Sequence, residues 1–356
     1  MQNKPSVSII IPVYNRVSLI HETLQSIIDQ TYSNWEAVVV DDGSTDGSYE
    51  VIVKHAILDH RIKAFRRDRQ PKGAPVCRNF GLEKSVGQFL MFLDSDDLLA
   101  PFCLEQRINL FCENKELDFI VLPTLLFSNE LNDLNIQWNI DTEGDDLLRF
   151  LGVDGIWPIV GPMYRRESII NLGGFREDLP FWQDFDLHIR CLLSGFTYRK
   201  FFDHRPDNYV RKNYKDGISR TISYTKDKQV LQTRIDFYHS IIGCMREKKR
   251  KIEDRHKYAI WSVLFFLSVG YFKDHNDLRR FSKEWSRVSE ALEIGGALHY
   301  LNLIYGTLIG LSVKNIFFKI LSKLCFYIFG RKLANYRIIS QRTLGKIPRD
   351  PDRVQS

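Results

Sequence analysis

Four short apolar runs, each separated from the next by a stretch of helical periodicity, constrain this chain more than any other feature. Residues 7–12, 35–40, 62–65 and 88–93 are strand-like, rich in β-branched and aromatic side chains. Between them, residues 18–30 repeat Ile20, Leu24, Ile27 and Ile28 at helical spacing, and residues 48–58 and 74–86 read as further helices. Such alternation predicts an α/β fold with a mostly parallel sheet flanked by helices on both faces. Ligands of such sheets bind beyond the carboxyl ends of the strands. Asn15, Asp41, Asp42, Asp94 and Asp96 all fall at that edge.

Two of the strands end in clustered acid. Asp94-Ser95-Asp96-Asp97 follows the run Phe89-Leu90-Met91-Phe92-Leu93 directly. Carboxylates beside a buried strand are costly unless a cation meets them. A divalent metal held by one or two carboxylates is commonly shared with substrate phosphates. The same tetrapeptide also suits a solvated turn in which Asp97 caps the next helix. The cluster Asp41-Asp42-Gly43-Ser44-Thr45-Asp46-Gly47 closes the second strand, and there Asp42 and Ser44 suit either a ligand or a helix cap.

After about residue 115 the pattern loosens to strand-like pieces at 119–123 and 161–165 and a helix over 182–193. From Ser219 onward it predicts helices only, at 226–249, 255–272, 277–293, 298–313 and 315–329. This places a boundary near residue 220, dividing the chain into residues 1–220 and a helical C-terminal region, 221–356. The formal charge of +6 is uneven: from Lys314 onward ten Lys/Arg face only Asp350 and Asp352. In that tail Ile316, Ile320, Leu324 and Ile328 form one stripe opposite Lys319 and Lys323, the pattern of a helix lying on an anionic membrane surface. An ordinary core-facing helix is the alternative. The charge-free stretches 258–272 and 298–313 fall short of the roughly 20 residues that span a bilayer. Six cysteines without a C-x-x-C pair fit reduced thiols, and no signal-peptide pattern precedes Val7. A cytoplasmic protein, peripheral at the membrane, is therefore expected, with no nucleic-acid partner. Neither a G-x-x-x-x-G-K-[ST] loop nor a G-x-G-x-x-G fingerprint occurs.

The motifs Ser8-Ile9-Ile10-Ile11-Pro12-Val13-Tyr14-Asn15, Val39-Val40-Asp41-Asp42-Gly43-Ser44-Thr45-Asp46, Gly73 with Arg78-Asn79, Asp94-Ser95-Asp96-Asp97, and Gly173-Gly174-Phe175 with Trp182-Gln183-Asp184 occur in this order. Over roughly residues 5–215 the chain thereby resembles the family 2 glycosyltransferases of the GT-A fold, inverting enzymes that use a nucleotide-sugar donor. The resemblance implies a donor pocket of Pro12, Tyr14, Asn15, Asp41, Asp42, Arg78, Asp94, Ser95 and Asp96. It implies Mg²⁺ or Mn²⁺ on Asp96, with Asp94 at the ribose or at the metal through water. It implies Asp184 as the general base, although Gln183 replaces the glutamate usual before it. Arg211 is carried over from a looser match, as a group that would close on the diphosphate. A UDP-sugar is the favoured donor, and the acceptor implied is a surface-glycan or lipid-linked saccharide. Trp182 suits either sugar stacking or the core, and Asp186 suits an ion pair with Arg190 four residues on. A non-catalytic nucleotide-sugar or glycan-binding protein on the same fold is the rival reading.

Overall fold

The structure is a computed structural model, and it describes residues 7–68, 70–138, 144–212, 228–248, 253–257, 259–261, 263, 290 and 345–346. Two compact units divide the chain: Met1–Glu143 with Gly155–Tyr214 and Gln341–Ser356, and Gly144–Asp154 with Lys215–Ser340.

In the first unit β1 (Val7–Val13), β2 (Trp35–Asp41), β3 (Ile62–Arg66) and β4 (Phe89–Phe92) are the four apolar runs. Helices α1 (Ile20–Ile28), α2 (Ser48–Leu58) and α3 (Ala74–Lys84) connect them. All seven residues of β1 and of β2 are buried, the polar Ser8, Glu36 and Asp41 included, as strands covered on both faces must be. The chain continues through β5 (Leu98–Leu99), α4 (Cys103–Glu113), β6 (Phe119–Val121), β7 (Thr124–Phe127) and β8 (Ile136–Gln137). After α5 (Asp146–Leu151) come β9 (Pro162–Arg165), α6 (Arg166–Leu172), α7 (Gln183–Leu193), β10 (Tyr198–Lys200) and β11 (Asn208–Arg211).

The main sheet has the order β10-β6-β9-β4-β1-β2-β3. Its left half departs from the parallel expectation, because β9 runs antiparallel to both β4 and β6. A second sheet, ordered β12-β8-β7-β11-β5, was not foreseen. Its strands are two to four residues long, too short to show a period. Its outer strand β12 (Gly345–Lys346) pairs antiparallel with β8, which corrects the expectation of helices alone after Ser219.

One buried ion pair fixes how this second sheet is seated. Arg107 on α4 forks Nε and Nη2 onto Asp207 at 2.9 and 2.7 Å and donates Nη1 to the Val160 carbonyl at 3.1 Å. Both side chains are fully buried, so losing either partner would strand a charge. The pair anchors the start of β11, whose last residue is Arg211.

In the second unit the described elements are helices. Helix α8 (Lys228–Glu247) buries Phe237, Tyr238, Ile241, Ile242 and Met245, and the Tyr238 hydroxyl donates to the Leu151 carbonyl at 2.7 Å. Of the helix expected at 255–272, residues 255–257, 259–261 and 263 are described; those expected at 277–293 (but for residue 290), 298–313 and 315–329, and the basic tail but for residues 345–346, lie outside the described residues. No described helix is long and apolar enough to cross a membrane.

Candidate active site

Three strand ends and one helix start converge. Asn15, just past β1, adopts a left-handed backbone with φ 51°, which asparagine tolerates better than most residues. Its N–H donates to Ser44 Oγ and its Oδ1 accepts the Thr45 N–H, both at 2.9 Å, stapling the loop after β1 to the loop after β2. Asp41 Oδ2 accepts the N–H groups of Gly43 and Ser44 at 3.1 and 3.0 Å, with Arg66 Nε at 3.6 Å. Asp41 Oδ1 is buried and has no hydrogen-bond partner among the described residues.

Asp42 differs in kind. Its Oδ1 accepts Arg67 Nη1 and its Oδ2 accepts the Gly73 N–H, each at 2.7 Å, so protein groups occupy both oxygens. Its position steadies the entrance to α3. The helix that directly follows the turn, α2, instead takes its local support from Asp46, whose Oδ1 accepts the Ser48 N–H at 2.9 Å. Pro12 is buried within β1, whereas Tyr14 is 53% exposed at the rim. Lys72 Nζ stands 5.9 Å from the Tyr14 ring centre.

The acidic loop after β4 is a turn closed by the Asp97 N–H on the Asp94 carbonyl at 3.1 Å. Asp94 accepts Arg78 Nη2 at 2.5 Å, and Ser95 is buried. Asp97, also buried, accepts the Arg211 N–H at 3.0 Å. Arg211 spends its guanidinium on protein: Nε on the Asp96 carbonyl at 3.1 Å, Nη1 on the Ser128 carbonyl at 3.3 Å, and Nη2 on Glu22 at 2.6 Å. It braces the loop from behind.

That leaves the Asp96 carboxylate, which takes a hydrogen bond from its own backbone N–H and forms no salt bridge among the described residues. Burial and the neighbouring Asp94 raise its proton affinity, against the pull of Arg16 and Arg211. Burial, then Asp96 and Asp94, push Asp97 well above the ordinary carboxylate range. Unbalanced negative charge around a carboxylate open at one side is what a divalent cation relieves. Hence Asp96, with Asp94 beside it, fits a metal that phosphate oxygens and water would complete. Among the described residues no group of three or more His, Cys, Asp or Glu forms a ready-made cage.

The other wall begins at the Gly-Gly-Phe turn. Asn79 on α3 accepts the Phe175 N–H on Oδ1 at 2.8 Å and donates Nδ2 to the Phe175 carbonyl at 2.8 Å and to Glu177 at 2.9 Å. Gly174 has φ 65°, and a Cβ there would stand 2.6 Å from Asn79 Oδ1. Gly174→Ala should therefore cost about 1–3 kcal/mol through backbone strain and a broken lock, read as a lower midpoint in urea unfolding.

Beyond this turn α7 opens on Trp182, itself left-handed at φ 58°. The Phe185 N–H donates to Asp184 Oδ1 at 2.9 Å. Burial raises the Asp184 carboxyl above its ordinary value; Arg78 opposes the rise and Asp94 adds to it. Asp184 thus feels the same arginine and the same aspartate that shape the acidic loop. Arg78 is buried, packs over the Phe175 ring at 5.2 Å, and has Nε and Nη1 without a partner among the described residues. Asp186 is bound by Arg190 Nε at 2.7 Å, the intrahelical pair its spacing indicates. His188, behind the site, shares a 3.2 Å contact with the Tyr164 hydroxyl, and burial followed by Arg78 pushes its pKa down to about 3, so it stays neutral.

Sequence reasoning passed over Arg67, Glu22 and Lys72. Arg67 had a usable signal, since it follows β3 at the edge where Asp41 and Asp42 lie. Glu22 had none: it reads as an exposed helix acid, and only the fold brings Arg211 to it.

An α/β sheet of this topology, with two strands ending in acid at one edge, is that of a GT-A domain. Staphylococcus aureus TarS, residues 1–349 in complex with UDP-GlcNAc, shares the fold with TM-score 0.59, 18% identity and coverage of 80% of this chain and 83% of that one. The family described as Glycosyl transferase family 2 matches residues 8–172. An uncharacterized glycosyltransferase of Haemophilus influenzae is 41% identical over 112 residues, which are 32% of this chain and 44% of that protein. The Escherichia coli UDP-Glc:alpha-D-GlcNAc-diphosphoundecaprenol beta-1,3-glucosyltransferase WfgD is 39% identical over 108 residues, 30% of this chain and 42% of WfgD. The chain thus spans under half the length of these relatives.

Proposed function

We propose that this chain is an inverting, metal-assisted glycosyltransferase that moves a sugar from a UDP-sugar to a hydroxyl of a glycan or lipid-linked saccharide. The observation that carries the reading is the pairing of Asp184 with the Asp94–Asp97 loop across Arg78. A base carboxylate near a diphosphate site, with one arginine acting on both, suits displacement at an anomeric carbon. Asp96, with Asp94, would hold Mg²⁺ or Mn²⁺, which neutralises charge on the departing diphosphate when bound. Asp184 would take the proton of the acceptor hydroxyl.

Asp41 Oδ1 supports a nucleotide ligand, because a buried acceptor without a donor is costly until one arrives. The imide N–H of uracil supplies such a donor, and Arg66 beside it suits a flanking carbonyl. Guanine also offers an N–H, so base choice is decided by a thermal-shift screen of UDP- and GDP-sugars with Mn²⁺. Stabilisation by UDP-sugars together with UDP release on adding acceptor is the expected result. Binding without turnover across acceptors would turn the assignment to a non-catalytic binder.

The ten cations from Lys314 onward and the stripe beside them support attachment to anionic lipid at a cytoplasmic membrane face. The full chain should co-sediment with phosphatidylglycerol vesicles, lose that binding as salt rises, and ignore phosphatidylcholine vesicles.

A further inference from the structure

We propose that Trp138, Phe185 and Trp182 form the wall on which the acceptor's terminal pyranose ring stacks while its hydroxyl meets Asp184. The inference rests on the transferase reading and adds to it a subsite for the acceptor sugar. None of the three aromatics belongs to the donor pocket, and each is only half-buried. Large rings left partly exposed beside a reaction site offer flat apolar faces, which the C–H face of a pyranose fits.

A chain of contacts joins the wall to both halves of the site. Trp138, the residue after β8, donates Nε1–H to the Gly155 carbonyl at 2.8 Å, so its polar edge is already fixed. Gly155 lies against Phe185, whose ring edge is 3.2 Å from where a Gly155 Cβ would sit. The Phe185 N–H holds Asp184, and its ring tilts against Trp182 at 6.2 Å between centres. Toward the acidic loop, Lys212 Nζ stands 5.2 Å from the Trp138 ring centre, and Lys212 follows Arg211, the brace of Asp96 and Asp97. The wall therefore runs from the metal-loop brace to the base. What it presents is ring surface, since the Trp138 indole N–H is already occupied by protein. The left-handed backbone of Trp182 adds to the case, because strain of about 1–3 kcal/mol in a bulky residue persists only where surrounding structure enforces it.

Saturation-transfer NMR tests the wall, using the full chain with UDP and Mn²⁺ and the methyl glycosides of glucose, galactose and N-acetylglucosamine as probes. Ring C–H protons of at least one glycoside should take up saturation. Trp138→Ala and Phe185→Leu should each weaken that glycoside's affinity by about 2- to 10-fold, with the UDP-induced thermal shift retained. Trp138→Tyr, which keeps a ring, should lose less than Trp138→Ala. Unchanged affinity in both ring-removing variants overturns the wall, as does an equal loss in Trp138→Tyr and Trp138→Ala. No saturation of any glycoside in a wild-type protein that UDP does stabilise overturns it while sparing the transferase reading. A wild type that neither UDP nor GDP stabilises refutes that reading, and the wall with it.

Discussion

Asp184→Asn is expected to lower kcat by about 10²–10⁴-fold while leaving donor binding within about twofold. The amide fills the same space at the start of α7 and keeps an oxygen for the Phe185 N–H, so the geometry of the helix start survives. What it cannot do is receive the acceptor's proton. The pH profile gives a second readout. Burial holds the Asp184 carboxyl above its ordinary value, and a base must be deprotonated to work. Wild-type kcat/KM should therefore fall on acidification through a limb that lies above the usual aspartate range, and the variant should lack that limb. Stability moves the other way. A carboxyl whose folded pKa is raised contributes stability below its unfolded value, and the contribution disappears as pH rises through the folded value. The neutral asparagine retains it, so the variant should melt no lower than wild type at neutral pH. Near wild-type turnover in Asp184→Asn would remove the base assignment.

Asp96→Ala should abolish the response to metal. In the wild type, UDP with Mn²⁺ at about 100 times its dissociation constant should add about 2.7 kcal/mol of stability; in the variant the Mn²⁺-dependent part should vanish. Turnover should drop by about 10²–10⁴-fold, the scale of losing a Lewis acid on the leaving group. Without ligand the order reverses. Asp96 raises the proton affinity of Asp97 and is itself raised by Asp94, so deleting it relieves repulsion. The unliganded variant should melt at or above the wild-type temperature, which separates lost chemistry from lost folding. Equal Mn²⁺ dependence of turnover in variant and wild type would contradict the metal role.

Much of the acidic sheet edge was legible because its signals are local. The run at residues 35–40, apolar but for Glu36, followed by Asp41-Asp42-Gly43 shows both where the sheet ends and that acid stands at its edge. The same holds for β4 and Asp94-Ser95-Asp96-Asp97. The division of roles within those clusters was not legible. Asp41 and Asp42 are adjacent and chemically identical, yet one keeps an open acceptor while the other is consumed by Arg67 and Gly73. Arg211 has its sequence position, but three of its bonds are to carbonyls and an acid that no spacing predicts. The short strands of the second sheet were missed because two to four residues carry too little periodicity to detect.

The sequence by itself determined the strand–helix alternation, the edge at which the carboxylates gather, and which carboxylates stand there as candidates for metal ligand and base. These follow from periodicity and from motifs a few residues long. Only the tertiary structure decided which charges meet. Arg211 reaches Glu22 across 189 residues of chain, Asn79 locks Phe175 across 96, and Arg67 claims Asp42 across 25. Such pairings carry no periodic signature, because they are set by where packed elements bring side chains together in space. They leave Asp96 without a salt bridge and Asp184 under the influence of Arg78 and Asp94, the setting on which the proposed roles of both carboxylates rest.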